Sequence, residues 1–284
     1  MKKSKIFLPL LCLGVVFIFY GCSGTVESYS AITDKIDPAS INKSYFQAYL
    51  PFESGQFAII KGKGIDSINV SVGTKVKFVA GQRGYAFQGK DSVSSYIQLP
   101  LLSSNLFRSF SSFTITSWIK TVIPVNNKTA QIYLVNGGDI INGNLSLSID
   151  SLYLNGYIYN SATSLKPHTI KLDRSKIKND EWTHVAFSYN DSTSKMTVYF
   201  NGNFAQENIC YADSASTTKM GNLVLGVDMT KLIIGAWPQQ IAGKPTNTMS
   251  YFGGMIDELR IWNKALTTSQ VTQVYNAELG LKNK

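Results

Sequence analysis

The chain has few cysteines. It contains three in 284 residues, and two of them, Cys12 and Cys22, lie close to the N-terminus. Only Cys210 remains, so an intrachain disulfide in the rest of the chain is excluded. The fold must therefore be stabilised by its apolar core, and Cys210 is predicted to be a small packing residue.

Histidines and catalytic motifs are equally scarce. His168 and His184 are the two histidines, and neither accompanies a serine nucleophile elbow or a glycine-rich phosphate loop. His184 lies in a predicted strand and is expected to be a hydrogen-bonded structural residue. Asp257 and Glu258 are adjacent, so on a regular strand they point to opposite faces and cannot act together as glycosidase carboxylates. Glu258 and Arg260 share a face and are expected to form a surface charge pair.

The positive charge of the chain is modest and scattered. The formal net charge of +9 becomes +6 without the three lysines of residues 1–5. No aromatic platform is interleaved with the densest basic stretch, so no nucleic-acid partner is predicted. The stretch is interpreted as a solvated loop, with contact to anionic lipid or polysaccharide as the alternative. Its members are Lys166, Lys171, Arg174, Lys176 and Lys178.

The one long apolar run stands at the N-terminus. Residues 6–20 are apolar and follow three lysines, and the run is shorter than the roughly 20 residues that span a membrane. It therefore predicts a signal peptide over residues 1–21. Gly21 and Cys22 resemble the end of a bacterial lipobox, in which a lipid-modified cysteine follows a small residue. That resemblance implies lipid attachment at Cys22, a membrane anchor and a place in the cell envelope, at the outer membrane or cell surface.

Two regions follow the predicted signal. Residues 22–43 are polar and aperiodic, which predicts a flexible tether, and residues 44–284 are predicted to form one domain. Apolar and polar residues alternate there in short runs bounded by turn residues, which is typical of strands with one buried face. These runs cover residues 46–52, 113–119, 182–189, 196–200, 231–236 and 255–262.

Two local signals fix a turn and a helix. Asn201-Gly202 favours a tight hairpin turn, because both of its central positions require positive φ. Thr267 and Gln270 form a capping box before an apolar face made by Val271, Val274 and Tyr275. We therefore expect an all-β antiparallel sandwich with one short C-terminal helix that closes an edge.

Four segments together resemble the laminin-G-like, or concanavalin A-like, jelly-roll modules. They are residues 84–89 with 96–99, residues 113–119, residues 182–189 and residues 252–266. The resemblance implies a jelly-roll β-sandwich over nearly the whole chain after the tether. It does not identify a ligand, because this fold supports lectins, adhesion modules, glycosidases and lyases.

Asp257 is a candidate calcium ligand. It shares strand parity with Met255, Leu259 and Ile261, and a buried carboxylate requires a charged partner, hydrogen bonds or a metal. The family resemblance implies that an aspartate here helps to hold a structural calcium. The acidic stretch expected after the first strand is replaced by residues 54–57, which carry no carboxylate, so hydrogen bonding of Asp257 to loop amides is the alternative.

A ligand surface is predicted on the loops. Sugars are commonly bound by an exposed aromatic ring that stacks on the sugar and by polar groups that orient it. Trp237, Tyr251 and Asn247 occupy one candidate loop, and Tyr211 could border it. The alternative is that Trp237 and Tyr251 only cover the sheet edge.

The sequence therefore predicts a cell-envelope lipoprotein whose sandwich binds a polysaccharide or other glycan, without catalysis and without a catalytic cofactor. A protein-binding adhesion or scaffold module, with an envelope protein as its partner, is the alternative. A glycan-active hydrolase or lyase is the less favoured one.

Overall fold

Strands dominate the structure, which is a computed structural model. It describes residues 37–53, 59–60, 71–72, 75–100, 110–122, 124, 128–136, 144–161, 167–213, 217–225 and 231–280. All of these residues lie in one compact unit, Asp34–Lys284. The predicted signal peptide, Cys22 and most of the predicted tether lie outside the described residues.

The described strands, in chain order, are β1 Phe46–Leu50, β2 Ile59–Ile60, β3 Ser71–Val72, β4 Lys77–Ala80, β5 Tyr85–Gly89, β6 Ile97–Pro100, β7 Phe113–Thr121, β8 Thr129–Asn136, β9 Leu145–Ile149, β10 Tyr153–Ile158, β11 His168–Asp173, β12 Trp182–Asn190, β13 Lys195–Phe200, β14 Asn203–Ile209, β15 Lys231–Ile234, β16 Met249–Ser250 and β17 Gly254–Trp262. Two helices accompany them, α1 Pro238–Ile241 and α2 Thr268–Gly280.

The strands form two sheets. The first sheet has the order β14-β13-β12-β7-β17-β1-β2, and β5 joins it through β17 with β4 at its side. The second has the order β11-β10-β9-β8-β15-β6-β3. Pairing among the described strands is antiparallel except where β16 runs parallel to β8. We call the two ends of the sandwich the Phe113 end and the Thr121 end, after the first and last residues of β7.

The alternation of side chains along each strand creates the core. In β12, Val185, Phe187 and Tyr189 join the large cluster between the sheets, whereas Ala186 faces the other way. Successive residues of a strand point to opposite faces, so this pattern follows from the sequence. The predicted two-sheet antiparallel sandwich is confirmed, and so are its strands β1, β7, β12, β13, β15 and β17.

The predicted hairpin turn joins β13 to β14. Asn201 has a φ of 49° and Gly202 a φ of 75°, as a two-residue turn with both central residues left-handed requires. The turn thus brings β14 back beside β13, where it forms the edge of the first sheet.

Helix α2 covers the outer face of the first sheet. The Thr267 amide donates to Gln270 Oε1 at 3.0 Å and the Gln270 amide to Thr267 Oγ1 at 3.3 Å, so the predicted capping box is confirmed. Val271 and Val274 pack with Trp262 of β17, which means that α2 lies on a sheet face instead of closing an edge. No helix in the described ranges is long and apolar enough to cross a membrane.

The N-terminal part of the described chain packs against the sandwich. A short 3-10 turn, Pro38–Ser40, leads to Ile41, which is buried beside Trp262. The Trp262 indole Nε1 donates to the Ile41 carbonyl at 2.9 Å. The packed chain therefore begins by Asp37, so residues 37–43 belong to the domain and not to the tether in which the sequence placed them.

Gly254 begins the strand that pairs with both β5 and β7. Its φ is 148°, and a Cβ there would lie 2.2 Å from the Lys120 carbonyl oxygen. Gly254→Ala should therefore lower the free energy of unfolding by roughly 3 kcal/mol, through left-handed strain and overlap with backbone. Urea denaturation measures the loss.

Gly243→Ala is the matched control for that substitution. Gly243 also has positive φ, 72°, but nothing lies within 4 Å of the added Cβ. The expected cost is roughly 1 kcal/mol, from strain alone. Equal losses for the two variants would mean that contact with Lys120 does not govern position 254.

Candidate functional site

A β-bulge interrupts β17 at Glu258. Asp257 pairs with Trp118 and Arg260 with Thr116, so the register shifts between them, and Glu258 has a φ of 52°. Ile256, Leu259 and Ile261 consequently all face the inter-sheet core. The regular alternation assumed from the sequence fails here, and Asp257 does not share a face with Leu259 and Ile261.

Asp257 is bound by backbone amides. Its Oδ2 accepts the Arg83 amide at 2.9 Å and its Oδ1 accepts the Glu258 amide at 2.8 Å. Burial, and then the nearby Glu258 carboxylate, raise the pKa of Asp257 well above its usual range. These contacts match the alternative to calcium that the sequence left open.

The described side chains around Asp257 do not form a metal-binding cluster. Calcium takes six to eight oxygen ligands, whereas the described residues contain no group of three acidic, histidine or cysteine side chains able to hold a metal. Gly81 approaches so closely that a Cβ there would lie 2.6 Å from Asp257 Oδ2. The carboxylate is therefore enclosed by packed chain, and calcium binding at Asp257 stays a prediction.

A buried charge cluster lies beside the bulge and under α2. Arg260 Nη2 donates to Glu258 Oε2 at 2.7 Å, and Arg260 Nη1 contacts the carboxylate of Glu278 from α2. Glu258 also accepts the Tyr49 hydroxyl at 2.6 Å. Glu258 and Arg260 were expected to pair at the surface, but each is about 1% exposed, because α2 covers this face.

His184 packs among aromatic rings beneath the same helix. Its ring centroid lies 5.4 Å from that of Trp118 and 5.7 Å from that of Tyr275. Neither ring nitrogen has a hydrogen-bond partner among the described residues, since Glu278 Oε2 is 3.6 Å from Nε2. The prediction of a structural histidine holds, but that of a hydrogen-bonded one is wrong.

Burial sets the protonation of this cluster. Desolvation, helped by Arg260, lowers the pKa of His184 to about 3, so the imidazole is neutral and the contact with Glu278 is not an ion pair. Desolvation raises the pKa of Glu278 to about 8, although Arg260 acts against it. Substrate cannot reach groups this deeply buried, so the cluster serves structure.

Trp237 and Tyr251 cover the second sheet. Trp237 is 7% exposed, and its Nε1 donates to the Thr129 carbonyl at 2.8 Å. Tyr251 packs with Leu134 and Ile233 in a small cluster that is separate from the large core between the sheets. The prediction that Trp237 stacks on a sugar is therefore wrong, because its indole N–H has a backbone partner and its rings lie inside the protein. The covering role left open by the sequence describes both residues.

The remaining predicted ligand residues do not lie together. Asn247 is exposed in the loop before β16, at the Thr121 end. Tyr211 follows β14 and, through the pairings of β13 and β12, lies at the Phe113 end. β7 has nine residues, which makes it roughly 26 Å long, so Tyr211 cannot border the loop that carries Asn247.

An open depression of about 370 Å³ lies at the Thr121 end. The β9–β10 hairpin and the segment after β11 form it. Both lie at the Thr121 end, because the end of β9 pairs with the start of β8 and the Asp180 amide binds the Thr121 carbonyl. Its lining residues are Ser151, Leu152, Tyr153, Asp173, Arg174, Ser175 and Ile177.

Exposed apolar groups and cations meet at this depression. Leu152 is 62% exposed and Tyr153 is 39% exposed. Lys171 Nζ lies 5.9 Å from the centroid of the Tyr153 ring. Arg174, which the sequence placed in a solvated basic loop, is 7% exposed and lines the depression from a 3-10 turn.

Two aspartates hold the depression in shape. Asp150 Oδ1 accepts the amides of Leu152 and Tyr153, each at 2.7 Å, which closes the β9–β10 hairpin. Asp173 accepts the Ser175 amide at 2.7 Å and thereby caps the turn Arg174–Lys176. Such side chains are favoured at turns and caps because they replace missing backbone acceptors.

Sequence reasoning missed this site, although signals for it were present. Asp150 and Ser151 are turn residues between two runs of alternating apolar residues, and an aromatic residue follows them at Tyr153. The basic stretch around Arg174 then supplies the opposite wall. What could not be inferred was that these segments lie side by side as β10 and β11.

Two packed antiparallel sheets with a loop-built depression at one end define a lectin-like β-sandwich. The family comparison agrees: residues 91–272 match a laminin-G family of the concanavalin A-like lectin/glucanases superfamily. The chain belongs to this superfamily. No curated protein sequence matches it.

Several solved structures have the same fold, and two of the three given below are described as binding domains of toxins. The binding domain of Paraclostridial Mosquitocidal Protein 1 has a TM-score of 0.60 and 18% identity, covering 82% of this chain and 52% of that one. The botulinum neurotoxin serotype D ligand binding domain, in complex with N-acetylneuraminic acid, has a TM-score of 0.58 and 16% identity, over 84% of this chain and 52% of that one. A third structure comes from work on botulinum neurotoxin type C, whose cell entry is described as dependent on two ganglioside molecules. It has a TM-score of 0.60 and 16% identity, over 85% of this chain and 53% of that one. The chain spans about half the length of each.

His184→Phe should reduce the acid sensitivity of the fold. The unfolded histidine titrates near 6.5 and the folded one at about 3, so between these values only the unfolded state binds the proton. The stability tied to this group is complete above pH 6.5 and is lost as the pH falls toward 3, by up to about 1.4 kcal/mol per pH unit. Urea unfolding across this range should give a shallower slope for the variant.

Two comparisons isolate this effect. Glu278 acts in the opposite sense, since its contribution to the free energy of unfolding falls as the pH rises from 4.5 toward 8. Glu278 is present in both the wild type and His184→Phe, so the comparison between them isolates His184. His168→Phe removes the half-buried histidine, whose pKa is also lowered by burial, and should change the slope less. Identical slopes for wild type and His184→Phe would contradict the prediction.

Proposed function

We propose that the chain is a carbohydrate-binding protein and that the Tyr153 depression is its saccharide site. The observation that carries the proposal is an exposed aromatic ring, Tyr153, beside two serines, Ser151 and Ser175, in an open depression. Sugars present apolar C–H faces to aromatic rings, and polar groups at the rim orient them. Family membership and the toxin binding domains, one in complex with N-acetylneuraminic acid, support the proposal at the level of fold.

Binding without catalysis fits the carboxylates at the depression. A glycosidase needs one carboxyl group that donates a proton and another that attacks or activates water. Asp150 accepts two backbone amides and, through Oδ2, the Asn155 side chain at 2.9 Å. Asp173 is committed to the Ser175 amide. Both carboxylates therefore act as turn caps, which favours a binding protein over a hydrolase or lyase.

A lipid anchor at Cys22 is the second part of the proposal. It rests on the apolar run of residues 6–20 followed by Gly21 and Cys22. With that anchor, the sandwich would be held at the cell envelope, at the outer membrane or cell surface.

A protein partner is the competing candidate, and one observation favours it. Strand β14 is the edge of the first sheet, and it exposes Phe204 and Ile209, with Tyr211 just after it. An edge strand with apolar side chains can pair with a strand of another protein. This candidate gains if the chain binds no saccharide and Phe204→Asp abolishes capture of an envelope protein by cross-linking.

The anchor proposal predicts that Cys22→Ser moves the protein from the membrane to the soluble fraction. The thiol is the group that forms the thioether to lipid, and serine cannot replace it. Incorporation of labelled fatty acid and membrane fractionation measure the effect. Cys12→Ser, in the apolar run that precedes Cys22, should change neither readout. If Cys22→Ser leaves both labelling and fractionation unchanged, lipid is not attached at Cys22.

The saccharide proposal predicts that Tyr153→Ala weakens glycan binding by about fivefold or more, as the loss of a central aromatic contact does. A glycan array identifies the ligand, and titration calorimetry then gives the dissociation constant. The melting temperature should change little, because the ring is partly exposed.

Tyr45→Ala is the matched control. Tyr45 is 41% exposed, and Lys264 Nζ lies 5.7 Å from its ring centroid, much as Lys171 lies over Tyr153. It lies at the Phe113 end, away from the depression. Equal losses of affinity in the two variants would contradict the assignment of the site.

A further inference from the structure

Arg174 is a buried cation without an acidic partner. It is 7% exposed and lines the depression. Its Nη2 donates to the Ile177 carbonyl at 3.4 Å, and its Nη1 has no hydrogen-bond partner among the described residues. Within the same residues, no carboxylate oxygen lies within ion-pair distance of the guanidinium. Buried charges in proteins are ordinarily paired and fully hydrogen-bonded.

The neighbouring acids do not supply the missing partner. Asp150 is close enough to affect Arg174 electrostatically, but its oxygens bind two backbone amides and Asn155. Asp173 is directed to the Ser175 amide. Burial consequently lowers the pKa of Arg174, and the charge of Asp150 opposes this shift only in part.

The cation and the aromatic ring line one depression. Tyr153 pairs with Asp173 across β10 and β11, and Arg174 is the next residue. Lys171, two residues before Asp173, lies over the Tyr153 ring, so a second positive charge stands at the rim. The structure thus places an aromatic ring and Arg174 in the lining of one depression, with Lys171 against the ring.

We infer that the depression binds a carboxylate-bearing saccharide, with Arg174 pairing to the carboxylate and Tyr153 stacking on the ring. The inference rests on the proposed carbohydrate-binding function and names its substrate class. A planar guanidinium matches a carboxylate and forms strong, charge-assisted hydrogen bonds with it. Asp173 also lines the site and repels each negative charge brought to it, so a carboxylate with one charge fits better than a phosphate dianion with two.

The test compares acidic saccharides with their neutral counterparts. An array carries oligosaccharides that contain uronic acid or N-acetylneuraminic acid, each beside the same molecule with its carboxyl group reduced to an alcohol. Calorimetry on the tightest-binding pair should give an affinity about tenfold or more higher for the acid, as expected for a charge-assisted contact. Arg174→Gln in the full chain should abolish this preference while the neutral form still binds.

Control variants separate a specific contact from general attraction. Lys178→Gln removes the same charge from the same basic stretch, but Lys178 is exposed, pairs with Glu181 at 3.4 Å and does not line the depression. Lys178→Gln should therefore keep the preference for the acidic saccharide over its reduced form. Arg174→Lys keeps the charge without the planar fork and should retain only part of it, so it tests the geometry even if Arg174→Gln proves unstable by melting temperature.

The outcomes distinguish this inference from the function on which it rests. If wild-type protein binds acidic and reduced saccharides equally and Tyr153→Ala weakens both, the acidic ligand class is wrong and the saccharide site stands. If Lys178→Gln loses the preference as fully as Arg174→Gln, the effect is general charge attraction and the role of Arg174 is wrong. If no saccharide of either kind binds, both proposals fail.

Discussion

The guanidinium of Arg260 is the buried charge around which the first sheet is organised. It binds Glu258 at the bulge and Glu278 on α2, and it lies 4.0 Å from the centroid of the Tyr49 ring on β1. A buried ion whose partner is removed costs several kcal/mol, more than the intact pair contributes. The positions of β1, β17 and α2 are therefore fixed relative to one another, and the part of the first sheet beneath α2 is closed to ligands.

Six of the strands, β1, β7, β12, β13, β15 and β17, were predictable because they follow from local rules. Alternation predicts β7, β12 and β13, and the capping pair Thr267 and Gln270 predicts where α2 begins. The bulge at Glu258 was not predictable, since one left-handed residue within a strand leaves no mark on a period of two. Burial of Ile41 depends on Trp262, which lies 221 residues away in the sequence, and no local pattern carries that information.

The candidate site illustrates why exposure is harder to predict than secondary structure. Trp237 and Tyr153 are both aromatic residues next to turns, and composition does not distinguish them. The structure buries the first, whose indole N–H finds the Thr129 carbonyl, and leaves part of the second open beside Arg174. Arg174 was interpreted as a solvated loop residue because charged residues are rarely buried without a partner. The charge of Arg174 alone did not indicate a site, whereas its buried position in the lining of the depression does.

The point where the chain reaches the sandwich has a consequence for orientation. Phe46 pairs with Trp262, and Trp262 with Thr114, so the segment after Asp37 joins at the Phe113 end. The Tyr153 depression opens at the Thr121 end. Whatever the chain ahead of Asp37 is attached to, it joins the sandwich at the pole opposite the depression.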